Sequence, residues 1–85
     1  MNFFKKLKIA RLVMRVIALQ RKAPKDTYYT FEYHGSTNVV EFWKLRKGVA
    51  GDINVIKRYH CYLDEDFGIT LNVFAKQVKK EAEEV

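Results

Sequence analysis

The chain has 85 residues, a length that allows one domain with a modest hydrophobic core. An apolar fraction of 48%, with 6 phenylalanines, 5 tyrosines and 1 tryptophan, excludes an intrinsically disordered chain. The single cysteine, Cys61, excludes an internal disulfide and a cysteine zinc site. It also favours a reducing compartment, so we expect a cytoplasmic protein.

The positive charge is confined to the N-terminal part of the chain. The formal net charge is +6, and residues 1–25 contain eight basic side chains and no acidic one. Residues 26–85 contain eight bases and ten acids, so this part is slightly acidic. An unbalanced basic segment attracts anions, which include nucleic-acid phosphates, an acidic membrane surface and an acidic patch on another protein.

Residues 3–22 have the period of an amphipathic helix. One narrow stripe of this helix is basic and consists of Lys8, Arg11, Arg15 and Lys22. The apolar arc is about twice as wide as the roughly 100° stripe of an ordinary surface helix. We expect the helix to end at Ala23, because the residue before a proline disfavours the α conformation. Two arginines interrupt the apolar run, which excludes a secretory signal and a membrane span.

Three segments rich in β-forming residues follow. Residues 27–34 and 39–46 alternate with strand period on either side of a turn sequence at 35–38, which predicts a β-hairpin. Residues 53–63 predict a third strand after a loop at 48–52. One face of this strand is expected to carry Ile53, Val55, Tyr59, Cys61 and Leu63. Lys57 interrupts that apolar parity, so we expect a β-bulge or a mobile start.

Two predictions compete for the segment that begins at residue 69. Ile69, Leu71 and Val73 alternate as they would in a fourth strand. A cleaner helical stripe consists of Leu71, Phe74, Ala75, Val78, Ala82 and Val85. We favour a helix that begins at about residue 70 or 71, with Thr70 as its N-cap, and that frays at its acidic end.

The predicted fold is therefore α+β, with the order α-β-β-β-α in a single domain of residues 1–85. The basic amphipathic helix lies in 1–25, a three-stranded antiparallel meander in 26–64 and the C-terminal helix in 65–85. This order resembles the double-stranded-RNA-binding domain in topology and length. That family has a lysine run at its last helix and a Gly-Pro-x-His loop, and this chain has neither, so no RNA-contacting residue is carried over. The same order occurs among small phage-encoded inhibitors of host defence, many of which are acidic, whereas this chain is basic.

The basic stripe predicts an anion-binding surface, and we expect a small binding module that contacts nucleic acid or a nucleoprotein. Contacts from lysine and arginine to phosphates would make binding strongly salt-dependent and weakly sequence-specific. A GxxG sequence at 48–51 follows two bases, but a hairpin loop explains it better than a nucleic-acid clamp. The candidate contact residues are Lys5, Lys8, Arg11, Arg15, Lys22, Arg46 and Lys47.

The wide apolar arc predicts a second surface. As an alternative function, it would bind a protein partner, either in a homodimer or as a small phage-type inhibitor or assembly protein. The candidate interface residues are Ile9, Leu12, Val13 and Val16. Peripheral attachment to an anionic membrane is a third hypothesis, since basic amphipathic helices with phenylalanines near their start lie on bilayers. It is less favoured because the arc is wider than lipid contact alone requires.

The remaining reactive side chains form no catalytic pattern. His34 and His60 could share a face, while Cys61 points to the other. Two histidines without a placed carboxylate form neither a catalytic triad nor a strong metal site. Of the aromatic side chains, only Tyr28 and one of Phe42 and Trp43 are expected on the outer face. We therefore expect a non-enzyme with no metal, no cofactor and no small-molecule substrate.

Overall fold

In a computed structural model of the chain, a three-stranded antiparallel sheet carries two helices on one face. The structure describes residues 3–64 and 71–84. Helix α1 spans Phe3–Lys22, and strands β1, β2 and β3 span Thr27–His34, Val39–Lys47 and Ile53–Tyr62. Helix α2 spans Leu71–Glu83. The predicted α-β-β-β-α order is confirmed, and Leu71 and Val73 belong to a helix and not to a fourth strand. The proposed N-cap, Thr70, lies outside the described residues.

The sheet has the order β1-β2-β3, with tight connections at both turns. Asn38 adopts a left-handed conformation (φ 52°) at the end of the first turn, where an asparagine is tolerated. Between β2 and β3, the Gly51 amide donates to the Gly48 carbonyl at 3.0 Å, and Gly51 has a φ of 85°. The GxxG sequence is therefore a turn between two strands.

The predicted β-bulge is confirmed and lies between the second and third strands. Lys44 pairs with Lys57, but Leu45 pairs with Val55, so Ile56 is the extra residue. The bulge turns Ile53 and Val55 to the face away from the helices, where they are 64% and 54% exposed. The prediction that these two residues share a face with Tyr59 and Cys61 is therefore wrong.

The core lies between the two helices and the helix-facing side of the sheet. The Phe42 ring, fully buried on β2, stacks between Tyr29 and Tyr59 at centroid distances of 5.8 and 6.1 Å. The other buried apolar residues of the core are Leu12, Val16, Leu19, Val40, Cys61, Leu63, Phe74 and Val78. Burial raises the pKa of the Cys61 thiol, which favours a packing role over a nucleophilic one.

Gln20, the polar residue within the apolar arc of α1, ties the helix to the sheet. Its amide nitrogen donates to the Thr27 carbonyl at 3.1 Å, and its oxygen accepts from the Tyr29 amide at 2.6 Å. These bonds satisfy backbone groups on the free edge of β1, which would otherwise be open to pairing with another strand.

Glu81 is the most buried charged residue of the described chain and connects α2 to the sheet. Its side chain is 1% exposed, and Lys44 and Lys57 each donate to one carboxylate oxygen at 2.8 Å. Burial opposes ionisation of Glu81, but these two hydrogen bonds outweigh it, so the pKa of Glu81 lies below its ordinary value. Hydrogen bonds to Glu81 and Glu84 raise the pKa of Lys57. Lys44 and Lys57 thus compensate the charge of Glu81 in the last turns of α2, where we expected fraying. The helix continues to Glu83.

No helix among the described residues combines the length and the apolar character required to cross a membrane.

We predict that Glu81→Gln lowers the free energy of unfolding at pH 7 by about 2–4 kcal/mol, because two lysines lose their buried partner. Urea denaturation measures this value, and Glu84→Gln is the control because Glu84 is exposed and pairs with Lys57 only. Since the folded pKa of Glu81 is lowered, its stabilisation is present at neutral pH and disappears as the pH falls below the unfolded value of about 4.3. The wild type and Glu81→Gln should therefore converge in stability at low pH, and an equal difference at pH 7 and at low pH would contradict the prediction.

Candidate anion-binding cleft

Three of the four residues of the predicted basic stripe of α1 line one wall of a cleft whose other wall is α2. The cleft has a volume of about 210 Å³, and the described residues that line it include five basic side chains and no acidic one. Its cations are Lys8, Arg11 and Arg15 from α1 with Lys76 and Lys79 from α2, and Leu12 and Ala75 form its floor.

The two helices run parallel, which aligns their basic residues along the cleft. The Lys8 ammonium donates to the Asn72 side chain at one end, and Arg15 and Lys79 both line the cleft further along. Seven residues separate Lys8 from Arg15, so the α1 wall is about 10 Å long. Because the helices are parallel, the positive ends of both helix dipoles lie at the Lys8 end. The positive ends of the dipoles therefore add to the charge of Lys8 at that end of the cleft.

Ion pairs neutralise cations on the sheet but not in the cleft. Lys44 and Lys57 pair with Glu81, and Arg58 pairs with Glu41 at 2.9 Å. Within residues 3–64 and 71–84, none of the five cleft cations has a carboxylate partner. Adjacent uncompensated cations repel one another, and a bound polyanion relieves that repulsion.

The structure separates the seven candidate contact residues into three groups. Lys8, Arg11 and Arg15 line the cleft together. Lys5 faces the protein, because its ammonium donates to the Leu63 carbonyl at 2.8 Å. The remaining three are exposed and lie where α1 and β2 end, outside the cleft: Lys22, Arg46 and Lys47.

Lys76 and Lys79 are cleft residues that the sequence analysis missed. Both are exposed and lie beside Ala75, which packs against the core. Their spacing of three residues places them on the same side of α2. The helical pattern therefore contained a signal for a shared face, but it did not indicate that this face lies against α1.

Two of the four candidate interface residues are core residues of the chain itself. Leu12 and Val16 are only 4% and 6% exposed, because they pack against the sheet and α2. Ile9 is partly buried against the same core, and Val13 is 37% exposed. Leu12 and Val16 are thus unavailable to a partner of the folded chain, and the interface prediction is wrong for them.

The exposed apolar surface of α1 lies on the side away from α2. Its large members are Phe3, Leu7, Met14 and Ile17, with exposures between 37% and 69%. Next to them, a groove of about 610 Å³ runs between α1 and the first strand. The groove is lined by Lys6, Ile9, Ala10, Val13, Phe31 and Tyr33. The apolar arc therefore has a buried part and an exposed part, and the exposed part, together with this groove, is called the apolar face below.

The outer face of the sheet carries a mixed group of aromatic and charged side chains. Trp43, and not Phe42, lies there with Tyr28, and the Arg58 guanidinium lies 4.8 Å from the centre of the Trp43 ring. The Glu41 carboxylate accepts from both Arg58 and Trp43, and the bond from Arg58 is the main cause of a lowered Glu41 pKa. Glu32, His34 and Glu41 offer ligand atoms that all lie within 4.8 Å of one another, so these three residues could hold a metal ion.

Comparison of the chain with protein-family models, curated proteins and solved structures found no match.

We predict that Leu12→Ala lowers the free energy of unfolding by about 2–4 kcal/mol, since it opens a cavity in the core. Met14→Ala, on the 69% exposed side of the same helix, should change it by less than about 0.5 kcal/mol. Urea denaturation of both variants provides the comparison. Similar losses in the two variants would contradict the assignment of the two sides of α1.

Proposed function

We propose that the protein is a small non-catalytic binding module that contacts nucleic acid through the cleft between α1 and α2. The observation that carries the proposal is the alignment of five basic side chains, without a described carboxylate partner, along two parallel helices. Over the length of about 10 Å between Lys8 and Arg15, one strand of DNA carries about three phosphates. We further propose a cytoplasmic location, because the chain has a single cysteine, whereas small secreted domains are usually held together by several disulfides.

The chemistry of the cleft favours backbone contact over base recognition. Lysine and arginine bind phosphate oxygens without reading the sequence, and they release condensed counterions as they do so. The described cleft lining contains no aromatic side chain on which a base could stack. Binding through it should therefore depend strongly on salt and weakly on nucleotide sequence.

We predict that Lys79→Glu weakens binding to a nucleic-acid duplex or single strand at least about tenfold at low salt. The dependence of the logarithm of affinity on the logarithm of salt concentration should become shallower by about one for each lost phosphate contact. Fluorescence anisotropy of labelled oligonucleotides between about 50 and 200 mM salt measures both quantities.

Lys80→Glu is the matched control, because it changes the net charge equally on the same helix but does not line the cleft. Equal losses in the two variants would show that only net charge matters and would contradict a cleft site. Undetectable binding of the wild type at low salt, or binding that salt does not change, would contradict nucleic-acid binding itself.

The apolar face of α1 supports a second candidate function, which is binding to a protein partner. Met14 and Ile17 are 69% and 51% exposed, and the adjacent groove between α1 and β1 is concave. Contiguous apolar surface of this kind marks interaction sites more often than ordinary surface. This candidate can hold together with the first, since the apolar face and the cleft lie on different sides of α1.

We predict that replacing Leu7, Met14 and Ile17 with serine abolishes self-association while leaving the fold intact, because all three are exposed. Light scattering should give the wild type a mass above the 10.1 kDa of one chain and the variant the mass of one chain. A single-chain mass for the wild type at all concentrations contradicts a homodimer. If such a monomer co-sediments with phosphatidylserine vesicles but not with neutral ones, the face binds membrane instead.

A further inference from the structure

A histidine and two glutamates converge on the outer face of the sheet, on the side opposite the helices. The His34 Nε2 atom lies 3.1 Å from Glu32 Oε2 and 3.7 Å from Glu41 Oε2. Glu32 and Glu41 are direct cross-strand partners, and His34 is two residues beyond Glu32 on the same strand. The alternation of the strands therefore places all three on one face.

These distances lie close to the ligand separations of a tetrahedral zinc ion. Two ligand atoms that are each about 2.0–2.2 Å from zinc lie about 3.3–3.6 Å apart in tetrahedral geometry. The two observed separations fall on either side of that range, and all three ligand atoms lie within 4.8 Å of one another. One imidazole with two carboxylates suits zinc better than magnesium or calcium, which prefer oxygen ligands only.

The structure around these residues holds the ligands in place. Glu41 is only 12% exposed, and its carboxylate accepts hydrogen bonds from Trp43 Nε1 and Arg58 Nη2, both at 2.9 Å. Metal-binding carboxylates are commonly oriented by hydrogen bonds of this kind. His34 and Glu41 also line a surface hollow of about 250 Å³, which leaves room for water. Two carboxylates directly opposite each other on neighbouring strands repel, and a divalent cation between them removes that repulsion.

We propose that Glu32, His34 and Glu41 form a binding site for a divalent transition-metal ion of the zinc class, with water completing the coordination. The site uses His34 Nε2 and one oxygen from each glutamate. It is independent of the proposed nucleic-acid function, because it lies on the opposite side of the sheet from the cleft between α1 and α2.

Calorimetric titration of the untagged full-length protein with zinc chloride tests the proposal, since an affinity tag of histidines would itself bind zinc. We expect one zinc ion per chain, and at least about tenfold weaker binding by His34→Gln and by Glu32→Gln. Both residues are exposed, so the variants should keep the thermal unfolding midpoint of the wild type in the absence of metal. Titration with cobalt should also produce the intense visible absorption of a tetrahedral cobalt centre in the wild type and not in His34→Gln.

His60→Gln is the matched control, because His60 lies on the same face opposite Glu41 but is not part of the three-residue group. It should bind zinc as the wild type does. The proposal is overturned if the wild type binds no zinc, if His34→Gln binds it as tightly as the wild type, or if only His60→Gln loses binding. Oligonucleotide binding should be the same with and without zinc. Failure of the zinc-site proposal and failure of the cleft proposal are therefore distinguishable results.

Discussion

The pair of hydrogen bonds between Glu81 and the lysines of the sheet determines how the second helix is oriented. The carboxylate is buried and fits between Lys44 on β2 and Lys57 on β3. An apolar stripe alone tolerates some rotation of a helix about its axis, whereas a buried acid with two fixed partners does not. Since Lys79 lies two residues before Glu81, it points about 160° away around the helix. The contact that fixes Glu81 against the sheet therefore turns Lys79 away from the sheet, where it lines the cleft together with α1.

The same interaction decides where the positive charge of the molecule acts. Three acids, Glu41, Glu81 and Glu84, pair with Lys44, Lys57 and Arg58, so these three cations are neutralised. Five of the remaining cations line the cleft between the helices, and none of them has a carboxylate partner among the described residues. Their charges add in one place and attract anions there.

The order and bounds of the elements could be predicted from the sequence, because alternation and helical period are local properties. Lys57 even indicated the bulge, since a charged residue broke an apolar parity. The pattern did not show that the bulge would move Ile53 and Val55 to the opposite face of the sheet. The sequence also could not show that Lys57 pairs with an acid 24 residues later.

The candidate sites were partly predictable for the same reason. Helical period placed Arg11 and Arg15 on one stripe, but period cannot distinguish the part of an apolar arc that packs inside from the part that stays outside. The period therefore predicts Leu12 and Val16 at an interface with a partner, whereas both pack in the core of the chain itself. The strand pattern allowed His34 and His60 to share a face. Only the pairing of β1 with β2 revealed that Glu32 and Glu41 lie beside His34.

The two walls of the cleft come from helices that are far apart in the chain. The contact between Lys8 and Asn72 joins residues 64 positions apart, with the whole meander between them. During synthesis, α1 leaves the ribosome long before α2 exists, and a lone helix of about 20 residues is only marginally stable in water. A nascent or truncated chain therefore carries a basic segment but not the cleft. The cleft therefore exists only after the last helix has docked, so its two basic walls come together at the end of folding.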